Sequence, residues 1–150
     1  MISRIKEICG DNNFQKDLTE FLMAMCEVDT TPNPDVSVMQ SREHAVFEMI
    51  RNYLSDGGGI FKYDFRGIPD AIENNHAFSQ LHFTKTAERP EGLPISEVYK
   101  NRGNLLAFLD GEASDTGGDA AVNAHIDVIA PFIPPSREGD KITGRGSVDD

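Results

Sequence analysis

Two short segments late in this sequence of 150 residues carry residue types that could do chemistry. The first is His125-Ile126-Asp127. Side chains two apart on an extended backbone point to the same side, so the Asp127 carboxylate could reach the His125 imidazole. It would keep one ring nitrogen protonated and leave the other as a lone-pair donor, which is the usual arrangement around a metal-binding histidine. Taken alone, this pair is also compatible with an ordinary surface hydrogen bond.

The second segment is residues 144–150, Gly-Arg-Gly-Ser-Val-Asp-Asp. Two glycines one residue apart allow a loop to pack closely against other backbone. Asp149 and Asp150 then supply carboxylates, and an anionic oxygen beside a neutral imidazole is a ligand mixture that zinc accepts in hydrolytic sites. One carboxylate could also bridge two ions about 3.5–4 Å apart. An acidic turn is the alternative, whereas a phosphate-binding loop is disfavoured because there is no third glycine and no Gly-Lys-Ser/Thr.

The first 56 residues are predicted to be helical. Apolar side chains recur at steps of three and four over residues 14–25 and again over residues 45–54, which indicates two amphipathic helices. The first helix should end near the prolines at 32 and 34, which disfavour helical backbone. Glycines 57–59 should end the second helix. The methionines in this region are interpreted as core residues rather than as a soft-metal site.

Strands are predicted after these helices, and one of them leads directly to His125. Residues 87–94 have turn composition. Two apolar runs, at residues 103–109 and 120–124, are typical of strands buried on both faces in a parallel sheet. In open sheets of this kind ligands bind beyond the carboxyl ends of the strands, where His125 would lie. The predicted class is therefore α/β, with two amino-terminal helices followed by a mostly parallel or mixed sheet flanked by helices. The predicted strands cover residues 60–65, 81–84, 103–109 and 120–124, of which the last two are the apolar runs.

Composition excludes several classes of function. The chain has 14 Lys+Arg against 25 Asp+Glu, a net charge of −11, which disfavours binding to nucleic acid or to an anionic membrane. No run approaches the roughly 20 apolar residues of a membrane-spanning helix, and no signal-peptide run begins the sequence. Two cysteines are too few for a disulfide framework. We therefore expect a cytoplasmic protein.

Together, the two segments resemble the co-catalytic zinc amidohydrolases, which include acetylornithine deacetylase, succinyl-diaminopimelate desuccinylase, aminoacylase, carnosinase and carboxypeptidase G. That family has His-x-Asp at a strand end and Gly-Arg-Gly-x-x-Asp about two dozen residues later, and residues 125 and 149 have a matching separation. The close resemblance covers roughly residues 103–150. It implies that residues 1–150 form the amino-terminal portion of one metallohydrolase catalytic domain.

The resemblance also implies a role for each matching residue. His125 would be a terminal ligand of one zinc, Asp149 would bridge both ions, and Asp127 would orient His125. Arg145 would brace the loop, and Asp150 receives no ligand role. The implied cofactor is a pair of zinc ions, with cobalt or manganese as substitutes. The implied reaction is attack of a metal-activated water on the amide of a small peptide or N-acyl amino acid.

The general-base Glu, the remaining ligands and a lid domain that allows a homodimer are expected outside these residues. No other side chain is a better ligand candidate. Alternatives from other classes are a non-catalytic α/β interaction module, or a split-gene remnant that pairs with another chain, and a nucleotide-binding domain, which the missing phosphate loop disfavours. The side chains interpreted as solvated or structural are Glu112, Asp115, Asp119, Glu138, Asp140, His44, His76 and His82.

Overall fold

The computed structural model describes residues 2–56, 61–76, 84–109 and 121–148. Helices come first and short strands follow, which confirms the α/β class and the predicted order of elements. A 3-10 helix, Asp70–Asn74, lies between the first strand and the last helix. The remaining elements are α1 (Ile2–Gly10), α2 (Asn12–Cys26), α3 (Val36–Asp56), β1 (Phe61–Gly67), α4 (Ile95–Val98), β2 (Gly103–Leu109), β3 (Ser136–Glu138) and β4 (Lys141–Thr143).

Aspartate side chains before and after helix α2 accept hydrogen bonds from backbone N–H groups. The Asp11 carboxylate accepts the N–H groups of Asn13 and Phe14 at 2.9 Å each, and therefore caps the helix. The helix ends at Cys26, earlier than the prolines at 32 and 34 suggest. In the loop that follows, the Asp29 carboxylate accepts the Thr31 N–H at 3.1 Å and also its hydroxyl. Such local bonds offer the backbone an alternative to the helix.

Helix α3 supplies two of the four buried apolar side chains in the described ranges. Met39 and Val46 are 6% and 3% exposed. The rings of Phe21 and Tyr53 stack with their centroids 4.0 Å apart, which joins α2 to α3. The predicted apolar stripe over residues 45–54 lies within α3, but the helix begins earlier, where the Asp35 carboxylate accepts the Ser37 N–H at 2.9 Å. Residues 57–59, predicted to end this helix, lie outside the described residues.

Strands β1 and β2 pair antiparallel, from Phe61 opposite Leu109 to Gly67 opposite Gly103. The bounds of β2 are those that the sequence predicts. The sequence favours parallel neighbours for β2, yet both strand pairs within the described ranges are antiparallel. A continuous apolar run identifies a strand without fixing the direction of its neighbour. The run is also less buried than expected, since Leu109 is 64% exposed.

The start of β2 is joined to α3 by a buried ion pair. The Arg102 guanidinium contacts the Glu43 carboxylate, and these side chains are 11% and 13% exposed. Arg102 also donates to the Val98 carbonyl at 3.2 Å, and its own carbonyl accepts the Ile68 N–H. Helix α3, the end of β1 and the beginning of β2 therefore share one polar junction.

Residues 121–124 differ from the sequence-based prediction of a buried strand. They belong to no described helix or strand, and Val122 is 98% exposed. Apolar composition predicts burial only where a neighbouring element covers the segment, and none of the described elements pairs with this one. The predicted strand at 81–84 is described only at Thr84, which is buried and accepts the Leu93 N–H. None of the helices in the described ranges is long and apolar enough to cross a bilayer.

Candidate metal centre

The His125 ring is oriented by the main chain of Asp127. Its Nδ1 lies 3.0 Å from the Asp127 carbonyl oxygen. A carbonyl oxygen can only accept, so Nδ1 carries the proton and donates it. The lone pair of the neutral ring is therefore on Nε2, which is the protonation state that a metal ligand requires. The His125 side chain is 51% exposed, so it lies at the surface of the described part of the chain.

The Asp127 carboxylate is a neighbour of this ring but makes no hydrogen bond to it. Its Oδ1 lies 3.7 Å from His125 Nδ1, too far for a hydrogen bond, and the side chain is 72% exposed. The orienting contact, expected from the Asp127 carboxylate, is made in this structure by the carbonyl of the same residue. A role for the Asp127 side chain in positioning the ligand stays a prediction.

The loop between α2 and α3 holds the His125 segment from the other side. The Thr30 hydroxyl donates to the Ile126 carbonyl at 2.6 Å, across a separation of 96 residues. Thr30 is only 7% exposed. This contact is absent from the sequence-based predictions, which place only the end of a helix near the prolines at 32 and 34. Nothing in the spacing of the threonines at 30 and 31 points to a partner so distant in the chain.

An ionic contact fixes this loop to α3. Arg42 Nη1 lies 2.9 Å from Asp29 Oδ2, while Asp29 Oδ1 accepts from Thr31. The hydrogen bond from the Thr31 hydroxyl holds the pKa of the Asp29 carboxyl below its ordinary value, with a further contribution from Arg42. The Asp29 carboxylate is therefore ionised at neutral pH, and it connects the α2–α3 loop to helix α3.

The Gly-Arg-Gly loop packs on the chain that follows His125. The Arg145 N–H donates to the Ile133 carbonyl at 2.9 Å, and the Arg145 guanidinium donates to the Pro131 carbonyl at 3.3 Å. The Ala130–Pro131 peptide bond in this stretch is cis. Arg145 therefore braces the loop through backbone contacts, as the resemblance implies. Within the loop, the Ser147 hydroxyl donates to the Gly144 carbonyl at 3.0 Å.

The two glycines of this loop are required by close approach. A Cβ on Gly144 would lie 2.8 Å from Pro135 Cα, and a Cβ on Gly146 would lie 2.9 Å from Val128 Cγ1. Gly146 also has a φ of 82°, which disfavours any side chain. Because Val128 follows Asp127 directly, this contact brings the two chemistry-bearing segments together.

Asp149 and Asp150 lie outside the described residues, so the approach of Asp149 to His125 stays a prediction. Within the described ranges no three His, Cys, Asp or Glu side chains form a group that could hold a metal ion. The described residues supply one donor of the kind that zinc accepts, the His125 imidazole with its lone pair on Nε2. Gly146 of the Gly-Arg-Gly loop packs against Val128, three residues beyond His125.

The other candidate ligands that the structure describes do not join His125. His44 Nε2 lies 3.1 Å from the Asn101 carbonyl, and its ring centroid is 5.4 Å from that of Phe65, which indicates a structural role. His76 is exposed at the end of the short 3-10 helix. Glu138 and Asp140 are exposed at the β3–β4 turn, as expected for a solvated turn. The candidates outside the described residues are Glu112, Asp115, Asp119 and His82.

Comparison with known proteins gives one informative similarity. The chain is 38% identical over 72 residues to a peptidase M20 domain-containing protein of Schizosaccharomyces pombe. The matched region covers 45% of this chain and 17% of the length of that protein. No family model matches the sequence, and no solved structure matches it. The similarity supports the M20 peptidase family, and the chain spans about a sixth of the length of this curated relative.

Proposed function

We propose that this chain forms part of the metal site of a metal-dependent hydrolase of amide or peptide bonds, of the dipeptidase, deacylase or carboxypeptidase type. The observation that carries the proposal is the packing of Gly146 against Val128, which joins the His-x-Asp segment to the Gly-Arg-Gly loop. The similarity to a peptidase-domain protein supports the same class of reaction.

Each residue has a distinct task in this proposal. His125 Nε2 would be the atom that holds one ion, and the Asp127 carbonyl keeps the proton on Nδ1. Asp149 would be the carboxylate ligand shared by the two ions, and Arg145 holds the loop that precedes it in the sequence. A bound zinc pair, or cobalt or manganese in its place, would supply Lewis acidity that lowers the pKa of a bound water toward about 7. The substrate is a small peptide or an N-acyl amino acid.

The number of ligands limits what these 150 residues do alone. A catalytic zinc ion takes about three protein ligands together with a water. His125 and Asp149 are the candidates that the sequence supplies, and a general-base Glu is expected outside these residues. We therefore expect the 150-residue chain to bind zinc weakly and to leave dipeptides and N-acyl amino acids intact.

The first test follows zinc binding at each histidine ring. Nitrogen-15 NMR of the four histidines during a zinc titration should show a shift at His125 Nε2 and none at His76. His125→Ala should abolish zinc binding, and Asp149→Asn should weaken it. His76→Ala is the matched control, since it removes an exposed imidazole that belongs to neither motif. Equal responses at all four rings would contradict the proposal.

The second test concerns catalysis in a longer reading frame. A product extended beyond codon 150 should hydrolyse dipeptides or N-acyl amino acids with added zinc and lose that activity with a chelator. His125→Ala should reduce turnover to background, whereas His76→Ala should leave it unchanged. Chelator-resistant turnover, or full activity in His125→Ala, would refute the assignment.

The alternative from another class is a non-catalytic module that pairs with another chain. Exposed apolar side chains favour it, and they lie on the β1–β2 sheet and in the segment around His125. An immediate stop after codon 150, together with a stable complex with a second chain in size-exclusion chromatography, would support this alternative over the hydrolase. The exposed apolar side chains that favour this alternative are Phe65, Phe108, Leu109, Val122, Ile129 and Ile133, with exposures between 40% and 98%.

A further inference from the structure

The contact between Thr30 and Ile126 has a consequence for the neighbouring histidine. The Ile126 carbonyl belongs to the peptide unit that joins Ile126 to Asp127, and the Thr30 hydroxyl donates to it at 2.6 Å. The next carbonyl along the chain, that of Asp127, accepts the proton of His125 Nδ1. The peptide unit that Thr30 holds therefore adjoins the unit that carries the acceptor for the His125 ring, with only the φ and ψ of Asp127 between them.

The donor side of this hydrogen bond is itself rigid. Thr30 is 7% exposed and Thr31 is 8% exposed, although both lie in a loop. Asp29 accepts from Thr31 on one oxygen and contacts Arg42 of α3 with the other. The loop that carries Thr30 is therefore held by the Asp29–Thr31 hydrogen bonds and by the ionic contact to α3. The His125 segment, in contrast, belongs to no helix or strand. The fixed partner in this pair is the threonine.

We propose that Thr30 is a positioning residue for His125: its hydroxyl fixes the Ile126–Asp127 peptide and thereby the tautomer and direction of the imidazole. The inference rests on the proposed function where it concerns metal affinity, since the ring is then a zinc ligand. Outer groups that orient a metal-binding histidine typically change affinity by 10- to 100-fold when they are removed. Thr30 bonds the peptide unit next to the one that contacts the ring, so its effect is indirect and about tenfold, at the lower end of that range.

The test uses the 150-residue chain and the ring nitrogens of His125. Without metal, wild-type protein should show the Nδ1–H tautomer in long-range nitrogen-15 spectra, and Thr30→Ala should shift the ring toward a mixture with Nε2–H. Thr30→Val removes the same hydroxyl but adds a methyl group where the oxygen lies 2.6 Å from a carbonyl. Agreement between these two variants assigns the effect to the hydroxyl. Thr30→Ser keeps the donor and should restore the wild-type spectrum.

The matched control is Thr19, whose hydroxyl donates to Gln15 within α2 at 2.7 Å. Thr19→Ala also removes a threonine hydroxyl that donates to a backbone carbonyl, and it should leave the His125 tautomer unchanged. Circular dichroism of each variant verifies that the helices remain folded. If Thr30→Ala and Thr30→Val both fail to fold, the comparison of Thr30→Ser with wild type still decides the question. A serine variant that is folded but has lost the Nδ1–H tautomer would overturn the inference.

Zinc titration of the same variants separates the two proposals. About tenfold weaker binding at His125 in Thr30→Ala, with recovery in Thr30→Ser, supports both of them. Zinc binding at His125 that is identical in wild type and Thr30→Ala, with an unchanged tautomer, overturns the positioning role and leaves the metal site intact. A wild-type ring that ignores zinc but loses its Nδ1–H tautomer in Thr30→Ala refutes the proposed function and retains the positioning role.

Discussion

Replacing Gly146 by alanine should open the loop that joins the two motifs. Gly146 has a φ of 82°, and a left-handed conformation costs a residue with a Cβ about 1–2 kcal/mol. The added Cβ would also lie 2.9 Å from Val128 Cγ1. Val128 is only half-buried and can shift, so the contact adds about 1 kcal/mol, the lower end of the cost of overpacking. The loop should therefore lose about 2–3 kcal/mol of its closing free energy.

Amide hydrogen exchange at Arg145 measures this opening directly, because its N–H donates to the Ile133 carbonyl only while the loop is closed. A loss of about 2–3 kcal/mol corresponds to exchange roughly 30- to 150-fold faster. Where wild-type protection is smaller than that, it should disappear altogether. The zinc response at His125 should weaken in the same variant if the closed loop brings Asp149 to the site.

Two further variants separate the conformational cost of a side chain at positive φ from the cost of the contact with Val128. Gly139 has a φ of 60° and nothing within 4 Å of an added Cβ, so Gly139→Ala should carry only the conformational cost, read at the amides of the β3–β4 hairpin. Val128→Ala in the Gly146→Ala background removes the colliding methyl group and should recover about 1 kcal/mol. Unchanged Arg145 exchange in Gly146→Ala, or a double variant no better than the single one, would refute the close-approach argument.

Two other predictions concern stability and are measured by urea unfolding. Glu43→Gln leaves the buried Arg102 guanidinium without its counter-charge and should lower the free energy of unfolding by about 3 kcal/mol. Glu48→Gln breaks an exposed ion pair and should lower it by less than about 1 kcal/mol. Equal losses in the two variants would refute the distinction between the buried and the exposed pair. Because its pKa is lowered in the folded state, Asp29 stabilises the fold above its ordinary pKa, and this stabilisation should be lost as pH falls through the lowered value. Asp29→Asn should flatten that part of the acid dependence, and an unchanged slope would contradict the cause.

Local pattern was sufficient to predict α2, α3, β1 and β2, but it gave no prediction of α4, β3 or β4. The apolar run at 103–109 gave the bounds of β2, because glycine begins it and Asp110-Gly111 follows it in the sequence. The three- and four-residue periodicity located α2 and α3, although their ends depend on capping by Asp11 and Asp35. Pairing direction and burial were not predictable in the same way. Both depend on which elements lie beside a strand, and the exposed segment at 121–124 illustrates how composition alone overstates burial.

The candidate site shows the same difference between features that local sequence predicts and features that depend on neighbouring elements. The types of residue at 125 and 144–149 predicted a metal-binding chemistry, and the two glycines predicted close packing, since each of these properties belongs to the residue itself. The hydrogen bond from Thr30 was not predictable, because its acceptor is a backbone carbonyl that every residue possesses and that lies 96 positions away. A hydroxyl that acts on a carbonyl leaves no paired signal in the sequence. The groups that orient the imidazole, the Asp127 carbonyl and through it the Thr30 hydroxyl, are therefore those that only the fold identifies.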